Sequence, residues 1–128
     1  MSESIGGFKD LIVYKKAFKL ACDIYEISLK FPKEEKYSLT DQIRRSSRSV
    51  CANLAEAYRK RPYLKHFLLK ITDCDGENSE TSVWLDFALH CGYINEVEHN
   101  KLNDISIEVG KLLMYMYNNP GKFGVNQD

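Results

Sequence analysis

Four stretches of this chain repeat apolar residues at spacings of three and four, and each ends at a strong breaker. The breakers are Phe31-Pro32, Arg61-Pro62, Cys91-Gly92 and Asn118-Asn119-Pro120-Gly121. That spacing is the period of an amphipathic helix. A residue before proline avoids the helical region, and glycine accepts the left-handed conformation that ends a helix. The pattern predicts helices over about residues 10–30, 38–60, 63–91 and 95–118. At 1.5 Å per residue they are roughly 30–45 Å long. Short connectors make sequence neighbours antiparallel. The expected fold is all-α, an up-down-up-down four-helix bundle over a single domain spanning residues 1–128.

In the first helix, Asp10 is the expected N-cap. Leu11, Tyr14, Ala17, Phe18, Ala21, Ile24, Tyr25 and Ile27 or Leu29 form its apolar stripe. Ser38 is the expected N-cap of the second, with Asp41 favourable in its first turn. Its inner stripe is Leu39, Ile43, Ser46, Val50, Leu54 and Ala57. Pro62 suits the first turn of the third helix, where a missing N–H costs nothing. Leu64, Phe67, Leu68, Ile71, Cys74, Leu85, Ala88 and Leu89 share one face of it, and Asp75, Asn78 and Ser82 make a mid-helix polar layer in the same phase. Asn95 caps the fourth helix, whose stripe includes Val97, Leu102, Ile105, Val109, Leu112, Leu113 and Met116. Residues 1–8 are expected to be a flexible leader and the tail to Asp128 mobile.

Composition narrows the functional classes. Lysine plus arginine and aspartate plus glutamate each number 18, so no overall field draws the protein to nucleic acid or an anionic membrane. Near-neutral charge also resists self-association little. Cys22, Cys51, Cys74 and Cys91 form no Cys-x-x-Cys pair and sit in helical patterns. They are expected to be buried, reduced thiols in a reducing cytoplasm. No apolar run approaches the ~18 residues of a membrane span, and the N-terminus has no signal-peptide pattern.

The second helix carries the most specific pattern. Opposite its core stripe lie Arg44 and Arg48, with Ala52 and Ala55 beside them, Arg45 on the flank and Arg59 further along. Small residues between arginines let another backbone approach, so this is expected to be a covered face. The bland alternative is a solvated charged face containing two good helix formers. Asp73, Glu77, Glu80 and Trp84 lie on one side of the third helix. Glu77 and Glu80 are candidate partners for Arg44 and Arg48, within or between subunits. Trp84 is a candidate interface anchor. The expected oligomer interface is therefore Arg44, Arg48, Ala52, Ala55, Glu77, Glu80 and Trp84.

No catalytic constellation is present: no glycine-rich phosphate loop, no Gly-x-Ser-x-Gly, and no cysteine–histidine dyad geometry. Glu96 stands three residues before His99, but a di-metal bundle needs such pairs from several helices. The chain is expected to be neither an enzyme nor a holder of a metal or cofactor. The alternative to a scaffold is nucleic-acid binding. Arg44, Arg45, Arg48, Arg59, Lys60 and Arg61 form the densest basic cluster, and Tyr58 and Tyr63 bracket its end as stacking candidates.

Several segments carry a family resemblance. They are Phe8 to Ala17, Phe31-Pro32-Lys33-Glu34-Glu35, Gln42 to Ser46, Asn53 to Ala57 with Arg59, Trp84 to Ala88, and Cys91-Gly92-Tyr93-Ile94. Together they resemble the bacterial four helix bundle proteins, also called ribosomal-RNA intervening-sequence proteins, over about residues 8–116. The chain departs from that pattern at Cys51, where proline is common, and at Ala57, where glycine is common. The resemblance implies a ring-like homopentamer. It also implies kinship with the accessory variability protein of diversity-generating retroelements, a basic pentamer that partners reverse transcriptase and binds nucleic acid. Self-association, RNA or DNA, and a reverse transcriptase are thus the implied partners.

Overall fold

The computed structural model describes residues 7–127; residues 1–6 of the expected leader and Asp128 lie outside the described residues. A 3-10 turn, Phe8–Asp10, precedes helix α1, Ile12–Ser28. Helices α2, Leu39–Arg59, α3, Leu64–His90, and α4, Glu96–Asn118, follow, and a last 3-10 turn covers Pro120–Phe123. Each helix packs on its sequence neighbour, and α1 closes the square against α4. The protein is all-α, a four-helix bundle.

The helix ends refine the sequence reading. Asp10 belongs to the preceding turn, so Leu11 occupies the N-cap of α1 and no side chain caps it. At α2, Ser38 stands at the N-cap without bonding the helix's N–H groups. Glu35 does that work: its Oε1 accepts from the Leu39 N–H at 3.2 Å and from Ser38 Oγ at 2.6 Å. Its other oxygen accepts from the Tyr93 hydroxyl at 2.8 Å, fastening this corner to the α3–α4 turn. Pro62 lies in the turn before α3, whose N-cap is Tyr63. Gly92 adopts φ 77° after the α3 C-cap. Its N–H donates to the Leu89 carbonyl at 3.0 Å and the Tyr93 N–H to the Ala88 carbonyl at 2.9 Å, a Schellman closure. Asn95 caps α4 as expected, and Glu98 completes a capping box.

The Glu35 carboxylate is held below its ordinary 4.5 by the Ser38 hydroxyl, then the Tyr93 hydroxyl and the Leu39 N–H. A depressed carboxylate stabilises the fold above its unfolded pKa, and that contribution disappears as pH falls through its folded value. Glu35→Gln is expected to cost about 1 kcal/mol at neutral pH, the scale of a lost cap. In urea melts at several pH values, the gap between wild type and variant should narrow below about pH 4.5. A gap independent of pH would contradict this role.

The core divides into two apolar halves. Val13, Ala17, Val50, Leu54, Phe67, Ile71, Val109 and Leu113 form one; Leu20, Ile24, Ile43, Leu85, Ala88 and Leu102 form the other. Between them lie Ser46, Asn78, Thr81 and Ser106, all buried. Ser46 and Thr81 share a hydroxyl–hydroxyl bond of 2.8 Å. Asn78 Nδ2 donates to the Ser106 carbonyl at 2.9 Å, and Ser106 Oγ donates to Asn78 Oδ1 at 3.2 Å. Ser82 Oγ donates to Asn103 Oδ1 at 3.1 Å, while Asp75 is only half-buried. The polar layer expected from α3 therefore draws members from α2 and α4 as well. Asn78→Ala leaves the Ser106 hydroxyl and carbonyl without their partner in a buried layer. The expected loss is about 1–3 kcal/mol in chemical unfolding.

The tail is folded onto the bundle, contrary to the expected mobility. Val125 is buried, and the Asn126 N–H donates to the Arg61 carbonyl at 2.9 Å. Gly124 turns at φ 79°, and a Cβ there would come within 3.0 Å of Arg61 Nη1.

Candidate interaction site

On α2, Arg44 and Arg45 are rotated about 100° from each other around the helix axis. That rotation sends them to different neighbours. Arg44 turns toward α1: its Nε donates to Ser28 Oγ at 2.8 Å, and its guanidinium carbon lies 4.8 Å from the Tyr25 ring centroid. Arg48, one turn on, sits 5.8 Å from the same centroid. Both distances suit cation–π attraction. Neither arginine has a carboxylate partner among the described residues.

Arg45 faces α3. Its Nη1 lies 3.4 Å from Glu77 Oε1, and its Nη2 bonds Glu80. Glu80 also accepts from Trp84 Nε1 at 3.1 Å. Within the chain, then, the expected pairing of Arg44 and Arg48 with Glu77 and Glu80 is replaced by Arg45. The Glu80 bond raises the Arg45 guanidinium further above its ordinary value. Trp84 is half-buried against the second core half. The residues expected to form one interface thus occupy two flanks of α2. Arg44, Arg48 and Ala55 lie toward α1; Glu77, Glu80 and Trp84 belong to α3 on the other side; Ala52 is exposed between them.

The α1 flank holds what the sequence reading assigned to the core. Val13, Ala17, Leu20 and Ile24 point inward, and Ile27 packs half-buried on the core. Phe18 remains 52% exposed and Tyr25 40% exposed, while Leu29 is also exposed. Tyr14 and Phe18 stack at 6.0 Å between centroids. With Cys22, Arg48 and Cys51 they line an open groove of about 480 Å³ between α1 and α2. The signal was present: the apolar arc of α1 is wider than one core-facing stripe needs.

The thiols divide as well. Burial pushes Cys51 up to about 11 and Cys74 up to about 12, which keeps them protonated and unreactive. Cys22 and Cys91 are exposed, against the expectation that all four are buried.

The basic cluster is also split. Arg61 lies with its guanidinium carbon 3.6 Å from the Tyr58 ring centroid, and its Nε donates to the Tyr58 carbonyl at 2.9 Å. It fastens the tail, and it occupies a face of the tyrosine expected to stack on bases. Arg59 and Lys60 are exposed and make no ion pair among the described residues. Tyr63 is exposed, with its ring edge-on to His66. His99 Nε2 lies 2.8 Å from Asp86 Oδ1, and no group of three metal-ligating side chains comes together among the described residues. No helix among the described residues is long and apolar enough to cross a membrane.

The geometry defines an all-α four-helix bundle with an aromatic and arginine-bearing flank open to the outside. The chain belongs to the 23S rRNA-intervening sequence protein family, whose model matches residues 9–115. It is also similar to a solved protein of unknown function from the S23 ribosomal protein family of Bacteroides thetaiotaomicron. The two share 27% identity and superpose with a TM-score of 0.73, covering 83% of this chain and 98% of that one. No curated protein matches the sequence.

Proposed function

We propose that this protein is a non-enzymatic scaffold that assembles as a homopentameric ring through the α1–α2 flank. One observation carries the reading: on the α1–α2 flank, exposed aromatic rings lie beside Arg44 and Arg48, which have no carboxylate partner among the described residues. Phe18 and Tyr25 are large side chains left partly in water, and Arg44 and Arg48 lie against the Tyr25 ring. Exposed apolar surface bordered by polar groups marks interaction sites. The chain's zero formal net charge adds little repulsion between copies. Its free thiols suit a reducing cytoplasm, where we place it. Size exclusion with light scattering at micromolar concentration tests the assembly. A particle of several chains supports the reading, and a monodisperse monomer overturns it.

A second reading is favoured by Arg59 and Lys60 at the end of α2, exposed and without an ion pair among the described residues. A ring repeats that basic edge, and each further phosphate contact steepens the salt dependence of binding. In this reading the assembled protein is an RNA- or single-stranded-DNA-binding accessory protein, acting with ribosomal RNA or a reverse transcriptase. Retardation of 23S rRNA fragments or single-stranded DNA at low salt, lost toward physiological salt, supports it. No retardation at low salt rejects it.

A further inference from the structure

Beside the α1–α2 groove, the outer side of α2 holds a second pocket of about 570 Å³. It shares only Arg48 with the groove. Helix period builds it: Asp41, Arg44, Arg48 and Ala52 recur every three or four residues and line one strip. Thr40, Arg45 and Ser49 flank that strip, and Lys36 and Tyr37 reach it from the turn before the helix.

Cations outnumber carboxylates here, in a chain whose formal net charge is zero. Arg45 is answered by Glu77 and Glu80 of α3. Lys36, Arg44 and Arg48 make no ion pair among the described residues, and Asp41 is the one carboxylate in the lining. The pocket is therefore left two charges positive. Like charges gathered in a cleft focus the field on an entering anion. Arg44 uses its Nε on Ser28, and its Nη groups have no hydrogen-bond partner among the described residues.

Thr40 adds an independent observation. It is 8% exposed and lines this same pocket. Its Oγ1 is the one buried side-chain polar atom among the described residues without a hydrogen-bond partner. A hydroxyl shut away unpaired is costly. Threonine in a helix divides between two χ1 wells, so an acceptor in the pocket has a rotamer through which to draw this hydroxyl out.

We infer that the pocket is a phosphate site, which takes the terminal phosphate of a small or polymeric anion. The arginine Nη groups and the Lys36 ammonium donate N–H to it, and Thr40 and Ser49 donate O–H. A phosphate suits these groups better than a carboxylate does. It brings up to two negative charges to an excess of two, and its oxygens accept from several directions at once. The site stands on one chain and does not depend on assembly or on the basic edge at Arg59 and Lys60.

Calorimetry with inorganic pyrophosphate at low salt, on the full-length chain, tests this. Wild type is expected to bind one pyrophosphate per chain. Lys36→Ala, Arg48→Ala and Thr40→Val should each weaken binding by about 10-fold or more. Lys36 and Arg48 are exposed, so those two variants should keep the wild-type circular dichroism. Thr40→Val should also unfold at the same or a higher urea concentration than wild type, because a methyl replaces an unpaired hydroxyl. A lowered midpoint would mean that the hydroxyl serves the fold, and would overturn its assignment to the site. Arg59→Ala removes the same charge outside the pocket and should bind as wild type does. No binding by wild type overturns the site, and so does a loss in Arg59→Ala as large as in Arg48→Ala. Two oligoribonucleotides that differ only by a 5′-phosphate identify the source. Tighter binding of the phosphorylated one supports the site with an RNA end as its ligand. Pyrophosphate binding with neither oligonucleotide bound supports it with a free anion. Equal binding of both oligonucleotides without pyrophosphate binding overturns it in favour of the phosphodiester backbone. Light scattering and 23S rRNA retardation still decide the two readings of function separately.

Discussion

Phe67→Ala is expected to destabilise the protein by about 3–5 kcal/mol, the usual range for truncating a buried phenylalanine. Phe67 is completely buried on α3, in the core half that also contains Val13 of α1, Leu54 of α2, Leu113 of α4 and Val125 of the tail. Its ring therefore fills space shared by every helix and by the C-terminal segment. Truncation removes apolar contacts and leaves a cavity that four rigid helices collapse into only partly. Urea unfolding followed by circular dichroism measures this, with the midpoint falling and the slope unchanged. Phe87→Ala is the matched comparison. Phe87 lies on the same helix but about half in water, so its truncation should cost an isolated chain far less. Equal losses at the two positions would contradict the assigned phase of α3.

The second large effect concerns Arg44 and Arg48. Arg44→Glu combined with Arg48→Glu is expected to dissociate the assembly while leaving a folded chain. Inside the chain the pair gives up one hydrogen bond to Ser28 and two cation–π contacts with Tyr25. Such exposed contacts are worth about 0.5–1 kcal/mol each. Across an interface the change is larger, because two cations become anions inside it. Losing one member of a buried charge pair costs about 2–5 kcal/mol, or roughly 30-fold or more in affinity. Arg45→Glu is the control. It breaks the pairs with Glu77 and Glu80, which lie on the other flank of α2 and form within one chain. Exposed pairs of that kind contribute little, so the assembly should persist. Dissociation by Arg45→Glu but not by the double variant would place the interface on the α3 flank.

The helices and their breaks were legible because each break has a local cause. Proline at 32, 62 and 120 and glycine at 92 act through their own backbones, and Asn95 caps through a side chain one turn away. Caps that depend on the path of the chain were less legible. Asp10 and Ser38 had suitable side chains, but a 3-10 turn takes up Asp10 and Glu35 replaces Ser38 from the preceding turn. The folded tail was missed for the same reason. Gly124 and Asn126 meet Arg61 across 60 or more residues, and nothing in the local pattern records that contact.

The candidate site was legible as a set of residues but not as a geometry. The sequence places Arg44, Arg45 and Arg48 away from the core of α2. It does not say on which side α1 and α3 stand, because either handedness of the bundle buries the same stripe. That choice decides whether Glu80 meets Arg44 or Arg45. The phase of α1 was ambiguous because Tyr14, Phe18 and Tyr25 continue the apolar arc past the core. An apolar arc wider than the buried face blurs the single stripe from which an inward face is read.

The number of chains in the particle is the most direct test. Native mass spectrometry at micromolar concentration should give one dominant species at five times the 14.8 kDa chain mass. A dominant single-chain species at that concentration would contradict the scaffold reading.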